Sequence, residues 1–112
     1  MKKIEAIIRL SQFEAVREAL ANIDVPFFTL TEVKGYGLQK GEKLTYRGSV
    51  FDASYIGRLK LDILCIEEKV DQIIDAILKS GGTGEIGDGK ITVLDVEQVV
   101  RIRNGEVNAA AL

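Results

Sequence analysis

Two stretches of the chain carry residues whose types and spacing suit an anion. The first is Gly82-Thr83-Gly84-Glu85-Ile86-Gly87-Asp88-Gly89-Lys90. A glycine-rich run exposes backbone N–H groups, and Lys90 adds a cation at its end, so the run reads as a phosphate cradle without a helix dipole. An ordinary tight connection is an equally good reading of that stretch in isolation. The second is Arg101-Ile102-Arg103. In an extended segment residues i and i+2 share a face, which would point both guanidinium groups one way and turn Val100 and Ile102 inward. Adjacent Arg forks suit a polyphosphate; the competing reading is a solvated, charged edge that discourages strand pairing. With Arg58 as a third cationic element beside a long loop, a nucleotide could be bound across a subunit boundary.

Three motif matches do not stand as named. Gly82 to Gly87 spells G-x-G-x-x-G, but it follows a predicted helix and precedes a strand, the reverse of the dinucleotide-binding order. Gly84 to Lys90 spells G-x-x-x-x-G-K, but Ile91 stands where a P-loop needs Ser or Thr. Lys34-Gly35-Tyr36-Gly37 matches half of an RNA-recognition octapeptide, yet Leu38, Gln39, Lys40 and Gly41 break the other half.

Composition narrows the chemistry further. The 112 residues include no His, one Cys and one Pro, with 15 Lys and Arg against 17 Asp and Glu. Without His there is no His base, triad or His-ligated metal. Cys65 alone makes neither an internal disulfide nor a thiolate zinc cluster, and reads as a buried strand thiol. A pI of 5.2 argues against a general nucleic-acid binder. No apolar run reaches the roughly 20 residues of a membrane span, and no signal-peptide pattern follows Met1. The expectation is one small domain, 1–112, in the cytoplasm.

The elements that must position these residues follow from hydrophobic period. Ile4, Ala6 and Ile8 alternate with Lys3, Glu5 and Ile7, predicting a strand over Lys2 to Arg9. Ser11-Gln12-Phe13-Glu14 fits a capping box, opening a helix that runs to about Asn22 with Phe13, Val16 and Leu20 on one face. Phe27 to Lys34 reads as a second strand. From Gly35 to Gly57 the period dissolves among five glycines, predicting a structureless loop of roughly 20 residues. That loop carries Lys40, Glu42, Lys43, Tyr46, Arg47, Phe51 and Tyr55, which suits a partner-binding probe, with a floppy charged insertion as the plain alternative. Leu59, Leu61, Ile63 and Cys65 alternate as a third strand. Val70, Ile73, Ile74, Ile77 and Leu78 make the stripe of a second helix, closed by Gly81 and Gly82. Ile91 to Val96 is a fourth strand, Val99 to Arg103 a short extended piece, and Asn108 to Leu112 a tail. The order β-α-β-β-α-β is ferredoxin-like, an α+β class, with the helices on one face of an antiparallel sheet. The other face would carry Ile7, Thr29, Thr31, Val33, Leu64, Thr92 and Leu94, apolar enough to predict an oligomer that buries it.

At this point the chain resembles the PII signal-transduction protein family along almost its whole length. The matching blocks are Met1 to Arg9, Thr31 to Gly37, Gln39 to Gly41, Tyr46 to Gly48, Thr83 to Ile91, Arg101 to Arg103, and Gly105-Glu106. The resemblance implies a homotrimer that binds ATP or ADP in clefts between neighbouring subunits. It implies that Thr29 and the Leu64 backbone meet the adenine and that Gly35 and Gly37 lie near the phosphates. Gly87, Asp88, Gly89 and Lys90 would wrap ribose and phosphates, with Arg58, Arg101 and Arg103 as cationic partners. Three segments are implied: a T-loop at about 37–55, a nucleotide loop at about 82–90 and a C-terminal segment at about 98–112. Gln39 would ligate Mg²⁺ when 2-oxoglutarate is also bound. Lys40, Tyr46, Arg47, Phe51 and Tyr55 would meet a target protein: a transporter, a nitrogen-assimilation enzyme or a transcription regulator. Any membrane contact would come only through a transporter partner.

The departures from the family pattern are specific. Phe51 stands at the position of the modifiable Tyr, and without a hydroxyl it excludes uridylylation there. Ser49 matches a Ser that some relatives phosphorylate, but Val50 and Phe51 break the rest of that motif. Leu38 stands where the family has Arg, and Leu10 where it usually has Pro. Arg58 and Gly57 replace the Lys that pairs with 2-oxoglutarate and the Pro before it; Arg keeps the charge but not the geometry. The alternatives are a pure adenylate sensor with a target outside nitrogen metabolism, such as another transporter, and a slow ATPase using Asp88 or Gln39.

Overall fold

A computed structural model describes the backbone of residues 1–36, 43–46, 49–52 and 55–112, and the side chains of 1–36 and 56–112. The chain runs β1 (Lys2–Arg9), α1 (Phe13–Asn22), β2 (Thr29–Tyr36), β3 (Lys43–Tyr46), β4 (Ser49–Asp52), β5 (Tyr55–Cys65), α2 (Val70–Gly81) and β6 (Ile91–Asp95). Short 3₁₀ turns precede both helices and close the chain at Asn108–Ala111, where a plain tail was expected.

The expected ferredoxin-like βαββαβ order is present. Four strands form one sheet in the order β2-β5-β1-β6, each neighbour antiparallel. Alternation decides which side chains go inward. Ile4, Ala6 and Ile8 of β1 and Leu59, Leu61, Ile63 and Cys65 of β5 are buried beneath Val16 and Leu20 of α1 and Ile73 and Ile77 of α2. Each fully buried branched side chain contributes about 1.5–3 kcal/mol of transfer free energy, so this face determines the register. Phe13 and Phe28 meet edge to face at 6.1 Å beside it. Burial raises the Cys65 thiol above its ordinary pKa, as expected of a core thiol.

The opposite face is mixed. Ile7, Leu64 and Leu94 are partly exposed there. Beside them Lys3 reaches Glu5 at 3.2 Å and Asp62 at 3.6 Å, while Lys60 lies 3.9 Å from Asp62. The Glu5 and Asp62 carboxylates raise the Lys3 pKa. The expected apolar positions are therefore interleaved with a charge cluster.

Three local expectations are corrected. The capping box does not form: Gln12 is the residue before α1, and no side chain caps the helix. Gln12 Nε2 instead donates to the Ser80 carbonyl at 3.1 Å, joining the start of α1 to the end of α2. The stretch from Gly35 to Gly57 is not structureless. β2 and β5 remain paired out to Tyr36 and Tyr55, and β3 pairs with β4 as a separate ribbon. Glycine and charge hid this ladder, because backbone pairing needs no apolar period. Of the expected partner-binding residues, Lys40 and Arg47, with Gly37 and Gln39, lie outside the described residues. Tyr46, Phe51 and Tyr55 belong to β3, β4 and β5, and their side chains lie outside the described set.

The third correction concerns Arg101 and Arg103. Val100 bridges Val107, and the chain between them turns back on itself. Arg101 N donates to the Glu106 carbonyl and Gly105 N to the Arg101 carbonyl, both at 2.8 Å. Ile102, Arg103 and Asn104 make this turn, which ends in Gly105 at φ 73°, with the Asn104 side chain accepting from Glu106 N. A left-handed glycine at the end of a four-residue loop overrides the extended geometry expected of Arg-Ile-Arg. Ile102 is fully exposed and Val100 half exposed, where both were expected to face inward.

Candidate functional site

The anion-suited residues occur in two groups at opposite ends of the sheet. At the first end, β1 and β5 are in register at Arg9 and Arg58, and β2 and β5 at Val33 and Arg58. Arg58 is buried, 7% exposed, and its Nη1 donates to the Gly57 carbonyl at 3.2 Å. A Cβ on Gly35 would lie 3.6 Å from the Arg58 side chain. The glycine loop enters the same end from the β6 side: Ile7 N donates to the Lys90 carbonyl at 3.0 Å, extending the β1–β6 ladder by one rung.

The loop's own shape is set by Asp88. Its Oδ2 accepts from the N–H groups of Thr83 at 2.8 Å and Gly84 at 2.9 Å. Its Oδ1 accepts from the Thr83 hydroxyl and from Arg9 Nε, the latter at 2.8 Å. Arg9 also donates through Nη2 to the Ile86 carbonyl at 2.9 Å. The Arg9 guanidinium, then the Thr83 hydroxyl and the two amides, hold the Asp88 carboxyl well below the usual carboxylate range. Gly89 follows at φ 93°, and a Cβ there would fall 1.8 Å from the Ile7 carbonyl oxygen. Glycine is thus required where the loop crosses β1.

The second end holds Thr29 and Leu64. They line a cleft of about 540 Å³ with Phe27, Phe28, Asp62 and Leu112. Arg101 belongs here, donating through Nη2 to the Leu112 carbonyl at 3.3 Å and pairing through Nη1 with Glu106. Arg103 lies exposed on the hairpin turn. Among the described residues, neither Arg103 nor Lys90 is within ion-pair distance of a carboxylate.

The two groups do not meet within one chain. Thr29 pairs with Asp62 and Gly35 with Ile56, six residues apart on each strand. At about 3.3 Å per residue that is roughly 20 Å. Gly35, Arg58, Gly87, Asp88, Gly89 and Lys90 are gathered at one end, and Thr29, Leu64 and Arg101 at the other. Arg9 and Thr83 were missed by sequence reasoning. Arg9 looks like an ordinary strand terminus, and its partner Asp88 is 79 positions away, beyond any local pattern.

A four-stranded antiparallel sheet with two helices on one face, carrying a glycine loop docked on its first strand, defines a ferredoxin-like protein of a distinct kind. The family model of nitrogen regulatory protein P-II matches residues 1–106. The chain is 47% identical to the nitrogen regulatory protein P-II of Pasteurella multocida (strain Pm70), over 112 residues and 100% of both chains. It is 46% identical over the same span to the nitrogen regulatory protein P-II of Microchaete diplosiphon and to nitrogen regulatory protein P-II 1 of Escherichia coli (strain K12), again covering 100% of each. The chain belongs to the nitrogen regulatory P-II family, whose members are signal-transduction regulators. Among the described residues no helix is long and apolar enough to cross a membrane.

Proposed function

We propose that three copies of this chain assemble as a cytoplasmic trimer that binds ATP or ADP between neighbouring subunits and reports the bound nucleotide to a target protein through residues 37–55. The observation that carries this reading is the roughly 20 Å between Gly35 and Thr29 along β2, with Lys90 set apart from Thr29 by the width of the sheet. A ligand touching both ends needs a second copy, with the glycine-loop end of one subunit against the Thr29 end of the next. One subunit then supplies Gly35, Gly37, the backbone of Gly87, Asp88 and Gly89, and Lys90, with the buried Arg58 side chain packed against Gly35. The neighbour supplies Thr29, the Leu64 backbone, Arg101 and Arg103.

The site suits reading a nucleotide more than consuming it. The Asp88 carboxylate accepts hydrogen bonds from its own loop and from Arg9, so it is poorly placed to act as the base of a slow ATPase. ATP and ADP differ by one phosphate and its charge, and each can favour a different state of the 37–55 segment. A target meeting Lys40, Tyr46, Arg47, Phe51 and Tyr55 selects one state. A transporter, a nitrogen-assimilation enzyme and a transcription regulator are the target classes that fit a nitrogen regulator.

A second effector, 2-oxoglutarate with Mg²⁺ held at Gln39, belongs to the same reading. Arg58 bears on it: this arginine is buried and engaged with the Gly57 carbonyl. That engagement favours the narrower function of an adenylate sensor without a 2-oxoglutarate response. Titrating ATP by calorimetry with and without 2-oxoglutarate and Mg²⁺ separates the two, because an unchanged ATP affinity selects the pure adenylate sensor. Absence of ATP and ADP binding at millimolar nucleotide, or a monomer by light scattering at micromolar protein, defeats the reading. Arg103→Ala should weaken ATP; unchanged affinity removes Arg103 from the site.

A further inference from the structure

We propose that Arg9 is a positioning residue of the nucleotide site, setting the shape of the glycine loop through the Asp88 carboxylate and the Ile86 carbonyl. The inference rests on the nucleotide reading above and adds a residue that the anion-suited motifs do not contain.

The loop from Thr83 to Lys90 has two ends tied to regular structure. Gly82 N donates to the Leu78 carbonyl at the close of α2, and the Lys90 carbonyl accepts from Ile7 N. Between these ties the chain must hold backbone N–H groups in a fixed array if it is to bind phosphate. Asp88 folds the loop on itself by accepting from Thr83 N and Gly84 N. Those bonds alone close the loop but do not orient it on the sheet. Arg9 supplies the orientation. It is the last residue of β1, an interior strand paired on both sides. Its planar guanidinium bonds the loop at two separate points, Asp88 Oδ1 at 2.8 Å and the Ile86 carbonyl at 2.9 Å. Both side chains are about three-quarters shielded, at 24% and 25% exposure, so solvent screens this pair less than a surface pair.

A lysine cannot reproduce this arrangement, because one ammonium at the end of a flexible stem lacks the fixed fork. An Asp88→Asn change keeps an acceptor but loses the charge and introduces an N–H₂ that cannot serve as a second acceptor. Arg9 and Asp88 therefore act as one unit: losing Arg9 frees the loop from the end of β1, and losing Asp88 does that and also releases Thr83 and Gly84.

The test measures ATP by calorimetry and adenosine by NMR titration on the full chain. The variants are Arg9→Ala, Arg9→Lys, Asp88→Asn and the Arg9→Ala/Asp88→Asn double. Because the loop meets the phosphates as well as the ribose, Arg9→Ala should weaken ATP by roughly tenfold or more and adenosine, which offers it the ribose alone, by only about threefold or less. Arg9→Lys should recover part of the loss, and the double variant should bind ATP no more weakly than the weaker single variant. A general structural lesion would weaken both ligands together. An unchanged ratio of ATP to adenosine affinity in Arg9→Ala, or losses that add in the double variant, overturns the inference. If the unaltered chain binds neither ligand, the nucleotide reading falls first and this inference with it, a result visible before any substitution is made.

Discussion

The glycine loop at 83–90 and the C-terminal hairpin at 99–108 both present cations at the ends of the sheet, yet they are built by different means. The loop takes its form from a distant strand: Arg9 holds Asp88 and Ile86, and Gly89 passes directly over the Ile7 carbonyl. The hairpin takes its form from itself, through backbone bonds between Arg101 and Glu106, Gly105 and Arg101, and Asn108 and Val99. Its apolar residues Val100, Ile102 and Val107 face outward. One element is shaped by tertiary contact within the chain. The other is shaped by local turn chemistry and exposes apolar surface of the sort that a neighbouring subunit would cover.

The largest effect that tests this contrast is expected at Gly89. A Cβ there meets the Ile7 carbonyl oxygen at 1.8 Å, on a backbone at φ 93°. Ile7 lies in an interior strand and cannot retreat without breaking its ladder. Gly89→Ala should cost about 3 kcal/mol or more, through collision and left-handed strain together. Thermal or denaturant unfolding measures it. A loss below about 1 kcal/mol would mean that the loop stands off β1 and is not docked on it.

Next comes the acid side of the same loop. The Asp88 pKa is depressed in the folded chain, chiefly by Arg9 and Thr83. Its stabilisation is fully present above the unfolded carboxylate pKa and is lost as pH falls towards the lower folded value. The difference in unfolding midpoint between the unaltered chain and Asp88→Asn should be constant from pH 8 to about pH 5 and shrink below about pH 4. A difference that changes between pH 6 and pH 8 would assign the stabilisation to another group.

What could be read from the sequence divides along the same line. The alternation of Ile4, Ala6 and Ile8 and of Leu59 to Cys65 identified the core strands, and the stripe from Val70 to Leu78 identified α2, because burial imposes a period. Thr83 to Lys90 reads as a glycine-rich loop from its composition alone. Its determinant, Arg9 against Asp88, was not recognised, since nothing near either residue marks a partner 79 positions away. The extension of β2 to Tyr36 and β5 back to Tyr55 was hidden because its rungs, Lys34 with Gly57 and Gly35 with Ile56, are glycine-rich and lack period. The hairpin is hidden for a different reason. Arg-x-Arg spacing alone points both guanidinium groups one way, and Gly105, whose left-handed backbone bends the segment, carries no mark of that in its neighbours.

Gly105 makes the counterpart of the Gly89 experiment. It has φ 73°, but nothing lies within 4 Å of a Cβ placed there. Gly105→Ala should therefore cost only the left-handed backbone penalty, about 1 kcal/mol. The gap between the two alanine variants, measured under the same conditions, reports how much of the loop's rigidity comes from docking on β1. Equal losses would erase the distinction between the two regions.

The smallest effect concerns Glu106, the carboxylate that meets Arg101 within the hairpin. Two consequences of Glu106→Gln oppose each other. The pair is partly exposed, at 30% and 46%, so losing it should lower stability by about 0.5 kcal/mol or less. Removing a negative charge beside Arg101 also raises the positive potential that a phosphate would meet. Arg101 keeps its charge without Glu106 and is still held by its bond to the Leu112 oxygen, so the second consequence should govern binding. ATP affinity should rise by about twofold, most clearly at low ionic strength where screening is weak. Calorimetry at two salt concentrations measures it. Weaker ATP binding in Glu106→Gln would show that Glu106 orients Arg101 for the ligand, making the hairpin a preset element like the glycine loop.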